Sequence, residues 1–284
     1  MTTSTLRAPT RLQVPPHAYF VVSAVFHYLG PAFAVLLFAR MQVLGVAWLR
    51  IASAALIFAA WRRPWRVVRH PTIVAWGAVL AVMNCCFYLA IDRLPLGTVA
   101  AIEFLPVIAL AAAGVTSRRN LTALAFAVGG VYLVSGVQFA AEPLGLALAF
   151  ANAGLFAAYI VLADRVAKDD DVTGIDGLAA AMLIAAVVVT PLAGWAAVPA
   201  FADPVAVLAG IGVGVSSSVI PYVTDQLALA RLPRATYALM VSLLPATAVV
   251  IGIVVLTQVP SPAEACGVAL VVGGVALHRE APAR

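Results

Sequence analysis

Residues Phe87 to Phe104 read FYLAIDRLPLGTVAAIEF, and Ile220 to Met240 read IPYVTDQLALARLPRATYALM. Each stretch is an apolar run that stops at a short basic turn and resumes as a second apolar run. The turn is Arg93-Leu94-Pro95 in the first case and Arg231-Leu232-Pro233 in the second. Proline at the start of a helix loses nothing, because the first N–H groups of a helix have no partner anyway. Each stretch therefore predicts two long apolar helices joined by a tight turn.

The rest of the chain has the same texture. Of 284 residues, 64% are hydrophobic and 10% charged, and the mean hydropathy is +1.05. A soluble domain is about 45–50% apolar and about 25% charged. So little polar surface cannot cover so much apolar mass in water. The expected fold class is all-α integral membrane. That excludes a soluble enzyme, a nucleic-acid binder and a secreted disulfide scaffold. Cys85, Cys86 and Cys266 all sit in apolar runs without C-x-x-C spacing, which argues against a disulfide framework or a zinc site. Arg7 and Arg11 precede the first apolar run as in a secretory signal. No small-residue cleavage site follows, so that run reads as a retained first helix.

At about 20 residues per span the chain holds roughly ten helices. Their expected limits are 18–39, 43–61, 72–91, 95–115, 121–138, 143–163, 177–198, 204–229, 234–256 and 262–278. With the N-terminus inside, one face receives Arg7, Arg11, Arg62, Arg63, Arg66, Arg69, Arg118, Arg119, Arg165, Lys168, Arg231, Arg234, Arg279 and Arg284. The opposite face receives only Arg40 and Arg93, and Arg50 falls within a span. Cytoplasmic loops carry the excess of Lys and Arg, so the bias predicts both termini in the cytoplasm. Omitting any one span would scramble it.

The Arg-Leu-Pro turn recurs between the third and fourth spans of each half. Gly129-Gly130-Val131 in span five likewise matches Gly273-Gly274-Val275 in span ten, and Pro106 in span four matches Pro245 in span nine. Five spans per half is an odd number, so the second copy enters the membrane from the other side. Residues 18–138 and 143–278 are thus expected as two inverted five-helix repeats between cytoplasmic tails 1–17 and 279–284. Inverted repeats are common in secondary transporters, with the substrate near the midplane where the repeats meet.

The two opening stretches, together with Gly45 to Trp65 (GVAWLRIASAALIFAAWRRPW), resemble the threonine/homoserine exporters of the EamA branch of the drug/metabolite transporter superfamily. The likeness runs from span one to span ten. It implies a ten-helix bundle of two inverted repeats and an inner-membrane exporter of amino acids or related metabolites. Two positions depart from the family pattern. Leu244 stands where the family carries a Glu before its span-nine proline, and Thr257-Gln258 replaces a Gly-Glu. The first departure removes an acidic group from the second repeat.

Three ionisable residues other than His lie well inside spans: Arg50, Glu103 and Asp225. Such groups are costly in a bilayer and usually face a cavity or a partner. Arg50 and Glu103 both lie about 10–12 Å below the outer face, counting 1.5 Å per residue. They are placed to meet each other or a zwitterion between them, Glu103 taking an ammonium or a coupling proton and Arg50 a carboxylate. The plainer alternatives are a structural ion pair or an Arg50 snorkelling outward. Asp225, near the inner face, suits a pairing with a loop arginine as well as it suits substrate contact. Aligning the Arg-Leu-Pro turns sets Asn84 opposite Tyr222 and Tyr88 opposite Gln226, matched polar positions that a shared cavity would need. His27, before Gly30-Pro31, and Tyr159 in span six complete the candidate set. Asn152 and Ser216-Ser217-Ser218 stand behind them, the serines also suiting close helix packing.

No phosphate-binding G-x-x-x-x-G-K-[ST], no H-E-x-x-H and no pair of Asp-rich motifs occurs, so the sequence points to no cofactor and no metal. The expected partners are the lipid bilayer, a small-molecule substrate and protons, with no nucleic acid. A transporter of other drugs or metabolites, a membrane enzyme and a pore are the alternatives left open. The sequence leaves the oligomeric state undetermined.

Overall fold

Helices account for almost all of the structure, a computed structural model that describes residues 15–114, 117–138, 142–167, 169, 172–229, 231 and 244–277. No strand occurs among the described residues. In chain order the helices are α1 (Pro16–Leu37), α2 (Val43–Arg62), α3 (Pro71–Ile91), α4 (Leu96–Gly114), α5 (Arg118–Gln138), α6 (Pro143–Ala167) and α7 (Gly174–Ala197). A 3-10 turn, Val198–Ala202, leads to α8 (Pro204–Gly214), a π turn (Val215–Val219) and α9 (Ile220–Leu229). The described chain ends with α10 (Leu244–Leu256) and α11 (Pro262–Leu277).

The starts follow from the sequence. Proline opens α1, α3, α6, α8 and α11. At α8 Asp203 also caps, its Oδ1 accepting from the N–H groups of Val205 at 3.0 Å and Ala206 at 3.2 Å. At α7 Thr173 and Asp176 cap reciprocally through side chain and backbone. Helix α2 ends on Arg63 in the left-handed region at φ 49°, its N–H closing on the Ala59 carbonyl. Among the described residues six helical segments are long and apolar enough to cross a bilayer, and Leu96–Pro106, Leu244–Leu256 and Pro262–Leu277 are shorter apolar pieces. Large apolar side chains such as Leu56, Tyr132, Val187 and Val254 are more than 70% exposed on four different helices, a surface suited to lipid and not to water.

One element differs from its expected form. Span eight was expected as a single helix over 204–229, whereas the π turn divides it into α8 and α9. Pro221 supplies the reason. It has no N–H to give the Ser217 carbonyl, so the regular ladder cannot continue there, and the Ile220 N–H reaches back to Val215 instead. The first ten residues expected for span nine, 234–243, including Arg234, lie outside the described residues.

The two halves interleave. Helix α1 packs on α8, α9 and α10, and α3 packs on α6 and α7. Helix α2 packs on α7 and α8, α4 on α6 and α10, and α5 on α11. In the last pair backbones touch. A Cβ on Gly130 would come 2.5 Å from the Gly267 carbonyl, and one on Gly274 would come 2.7 Å from that of Ala123. The paired glycines of the sequence thus join two helices of one chain, as small residues do where helices approach closely.

Polar contacts fasten the halves at both ends. At one end Arg62 pairs with Asp176 at 2.8 Å, His70 with Asp169 at 3.2 Å, and Arg119 Nε donates to the Leu277 carbonyl at 2.6 Å. At the other, Arg40 pairs with Asp203 at 3.3 Å, and the Leu96 N–H donates to Gln258 Oε1 at 3.0 Å. Gln258 therefore caps α4 from the far half, over Gly252, whose missing side chain leaves room for it.

Candidate functional site

Arg50 sits on α2 and faces the π turn. Its Nε donates to Ser218 Oγ at 3.1 Å, its Nη1 to Asn84 Oδ1 at 2.9 Å and its Nη2 to the Ser217 carbonyl at 3.4 Å. That carbonyl is the one to which Pro221 has no N–H to give, so the helix defect and the partly buried cation meet there. Asn84 is held in turn by donating from Nδ2 to the Ala47 carbonyl at 3.1 Å. The Tyr88 ring lies under the guanidinium, 5.4 Å from its centre, a cation–π contact in a desolvated setting. Among the described residues the partners of Arg50 are neutral dipoles and a ring, and no carboxylate is in direct contact with it.

Glu103 sits on α4, buried, with Oε1 accepting from Asn152 Nδ2 of α6 at 3.2 Å. Among the described residues no ion pair joins Glu103 to Arg50. Both instead line one cavity of about 60 Å³. Its walls are His27 and Pro31 of α1, Arg50 of α2, and Leu80, Met83, Asn84 and Phe87 of α3. Glu103 of α4, Asn152, Phe156 and Tyr159 of α6, and Tyr222 of α9 complete them. The cavity therefore draws on both halves and carries a cation and an anion that are not joined to each other.

The other expected residues divide by place. His27 reaches the cavity with its ring edge-on to Tyr28, centroids 5.3 Å apart. Asn84 and Tyr222, matched by the repeat alignment, both line the wall. Tyr159 stacks on Phe156 at 6.0 Å and tilts against Trp76 at 5.4 Å, giving the wall a row of aromatic faces. Tyr88 is fully buried beneath Arg50 and is not part of the lining, so it positions the guanidinium from behind. The side chains of Asp225 and Gln226 lie outside the described residues. Arg231, the loop arginine considered for Asp225, donates to the Leu227 carbonyl at 3.2 Å and lies over the Tyr19 ring.

The sequence set Asn152, Ser217 and Ser218 behind the other candidates, and the structure places them against the two charges. Asn152 is the residue that touches Glu103, and the serines hold Arg50. The signal for the serines was Pro221, four residues after Ser217, because a proline in a helix always frees a carbonyl one turn back.

Residues 143–279 match the EamA-like transporter family. The threonine/homoserine exporter RhtA of Escherichia coli (strain K12) is 31% identical over 244 residues, covering 83% of this chain and 81% of the relative. The protein of the same name in Salmonella typhimurium (strain LT2) is 32% identical over 238 residues, covering 81% and 79%. A solved crystal structure superposes with a TM-score of 0.60 over 92% of this chain and 96% of its own, at 18% identity, a likeness of fold alone.

Proposed function

We propose, from the premise that the chain belongs to the EamA-like transporter family, that it exports threonine, homoserine or related small metabolites across a bacterial-type inner membrane, driven by the proton gradient. The observation that carries this reading is the shared cavity of Arg50 and Glu103, opposite charges that are not paired with each other. A zwitterionic amino acid offers the complementary pair. Its carboxylate suits the planar fork of Arg50, which the Ser218, Asn84 and Tyr88 contacts hold in one orientation. Its ammonium suits Glu103, and a proton on the same carboxylate restores neutrality when the substrate leaves.

The architecture proposed for this transport is ten helices in two inverted five-helix repeats with both termini cytoplasmic. The packing supports it. Exchanging the halves turns the α1–α9 contact into α3–α6, and α1–α10 into α4–α6, while α2–α7 and α5–α11 map onto themselves. Such two-fold interleaving allows one half to rock against the other around a fixed site. By the volume one water needs, about 10–15 Å³, the cavity has room for a few waters. An amino acid of eight or more heavy atoms needs more room than this, so the helices must part to admit it.

The test is export of an amino-acid panel from loaded cells with and without the protein. The expected outcome is saturable export of threonine or homoserine that an uncoupler abolishes. Concentrative export that survives the uncoupler would refute proton coupling, and no export above the control would refute the substrate class.

A further inference from the structure

Asn152 is fully buried in the wall of the central cavity, and its amide does two different things. The NH2 donates to Glu103 Oε1 at 3.2 Å. An ionised carboxylate only accepts, so the amide must turn N–H toward it and its own carbonyl away. That carbonyl oxygen, Oδ1, has no hydrogen-bond partner among the described residues. A buried carbonyl without a donor is costly, and native proteins keep one only where a water or a ligand completes it. One charged and one neutral acceptor group thus belong to the lining of a cavity that already holds a guanidinium, and the neutral one has no donor among the described residues.

We propose that Asn152 Oδ1 and Glu103 together form a receptor for a primary ammonium group, with Asn152 the residue that makes the site count N–H donors. The inference rests on the reading of the cavity as an amino-acid site. A lone proton on Glu103 neutralises the carboxylate but gives nothing to a carbonyl turned away from it. A primary ammonium has three N–H donors and serves both acceptors at once. An N,N-dimethylated amine keeps the charge but has one donor, and it leaves one acceptor empty. Glu103 therefore senses charge, and Asn152 senses the degree of substitution of the nitrogen.

The experiment uses the full chain in proteoliposomes, with counterflow of labelled threonine competed by unlabelled threonine or by N,N-dimethylthreonine. In the wild type, threonine is expected to compete about 10- to 100-fold better, the worth of one hydrogen bond to a charged group. Asn152→Leu keeps the bulk and removes the acceptor, so the KM for threonine rises by a similar factor and the discrimination collapses. A merely structural Asn152 would lower the amount of folded carrier or weaken both competitors equally. Equal competition by the two compounds in the wild type overturns the proposal without reference to any variant, as does an Asn152→Leu carrier that still discriminates. Wild-type protein with no counterflow of any amino acid overturns the underlying transport reading, a result distinct from both.

Discussion

Replacing Glu103 by Gln keeps the size of the side chain and leaves an oxygen to accept from Asn152, but it removes the only carboxylate among the described residues of the cavity lining. Membrane insertion is expected to survive while transport falls at least tenfold, whereas Glu103→Asp retains part of the rate. Quantified protein in the membrane beside the initial export rate checks both. A second residue, Thr257, follows α10 at φ 56°, where a β-branched side chain is crowded by roughly 1–2 kcal/mol. Thr257→Gly should raise the melting temperature in detergent by a few degrees, and a fall would show that the Thr257 hydroxyl bond to the Leu256 carbonyl matters more. At this scale much of the site was legible. Arg50 and Glu103 stood out because charge inside an apolar span demands a reason, and Asn84 and Tyr222 because the repeated turn aligned them. Asn152 was not, since a single amide in an apolar helix more often ties two helices together. Only the neighbouring carboxylate gives it a further meaning.

The elements carry the site through close approaches that no hydropathy pattern records. Gly30 of α1 lies against Ser217, and a Cβ there would come 2.8 Å from the Ser217 backbone nitrogen and would collide with its hydroxyl. Gly30→Ala must therefore push α1 off the π turn that supplies two of the acceptors of Arg50. The expected result is normal expression with a several-fold higher KM; wild-type kinetics would show that the turn yields without moving Arg50. Helix limits were legible because proline and charge punctuate the runs. The largest departure among the helices fully described is α6, which continues to Ala167 past an expected end at 163. The break in span eight was not read, although its cause was present. Serines and apolar residues form α and π turns alike, and only Pro221 marks where the ladder fails.

At the scale of the molecule, the charge bias is the proposed determinant of orientation, and the packing sets which helices meet. Reporter fusions after Arg119 and after Lys168 are expected to read cytoplasm, and a fusion after Glu142 the outer side. A reversed reading at any one of them would sink the ten-span arrangement. The bias could be counted from the sequence because it depends only on loop composition. The pairing of α2 with α7 and of α5 with α11 could not, because apolar faces of equal hydropathy do not specify partners. What specifies them is the fit of small residues, as at Gly130 and Gly274, and the end contacts such as Arg62–Asp176. The central claim is that this two-sided bundle carries an amino acid past Glu103. Counterflow of labelled threonine and homoserine into proteoliposomes, wild type beside Glu103→Gln at equal reconstitution, tests it most directly. Saturable uptake by the wild type and near-background uptake by the variant is the predicted result, and equal uptake by the two would contradict it.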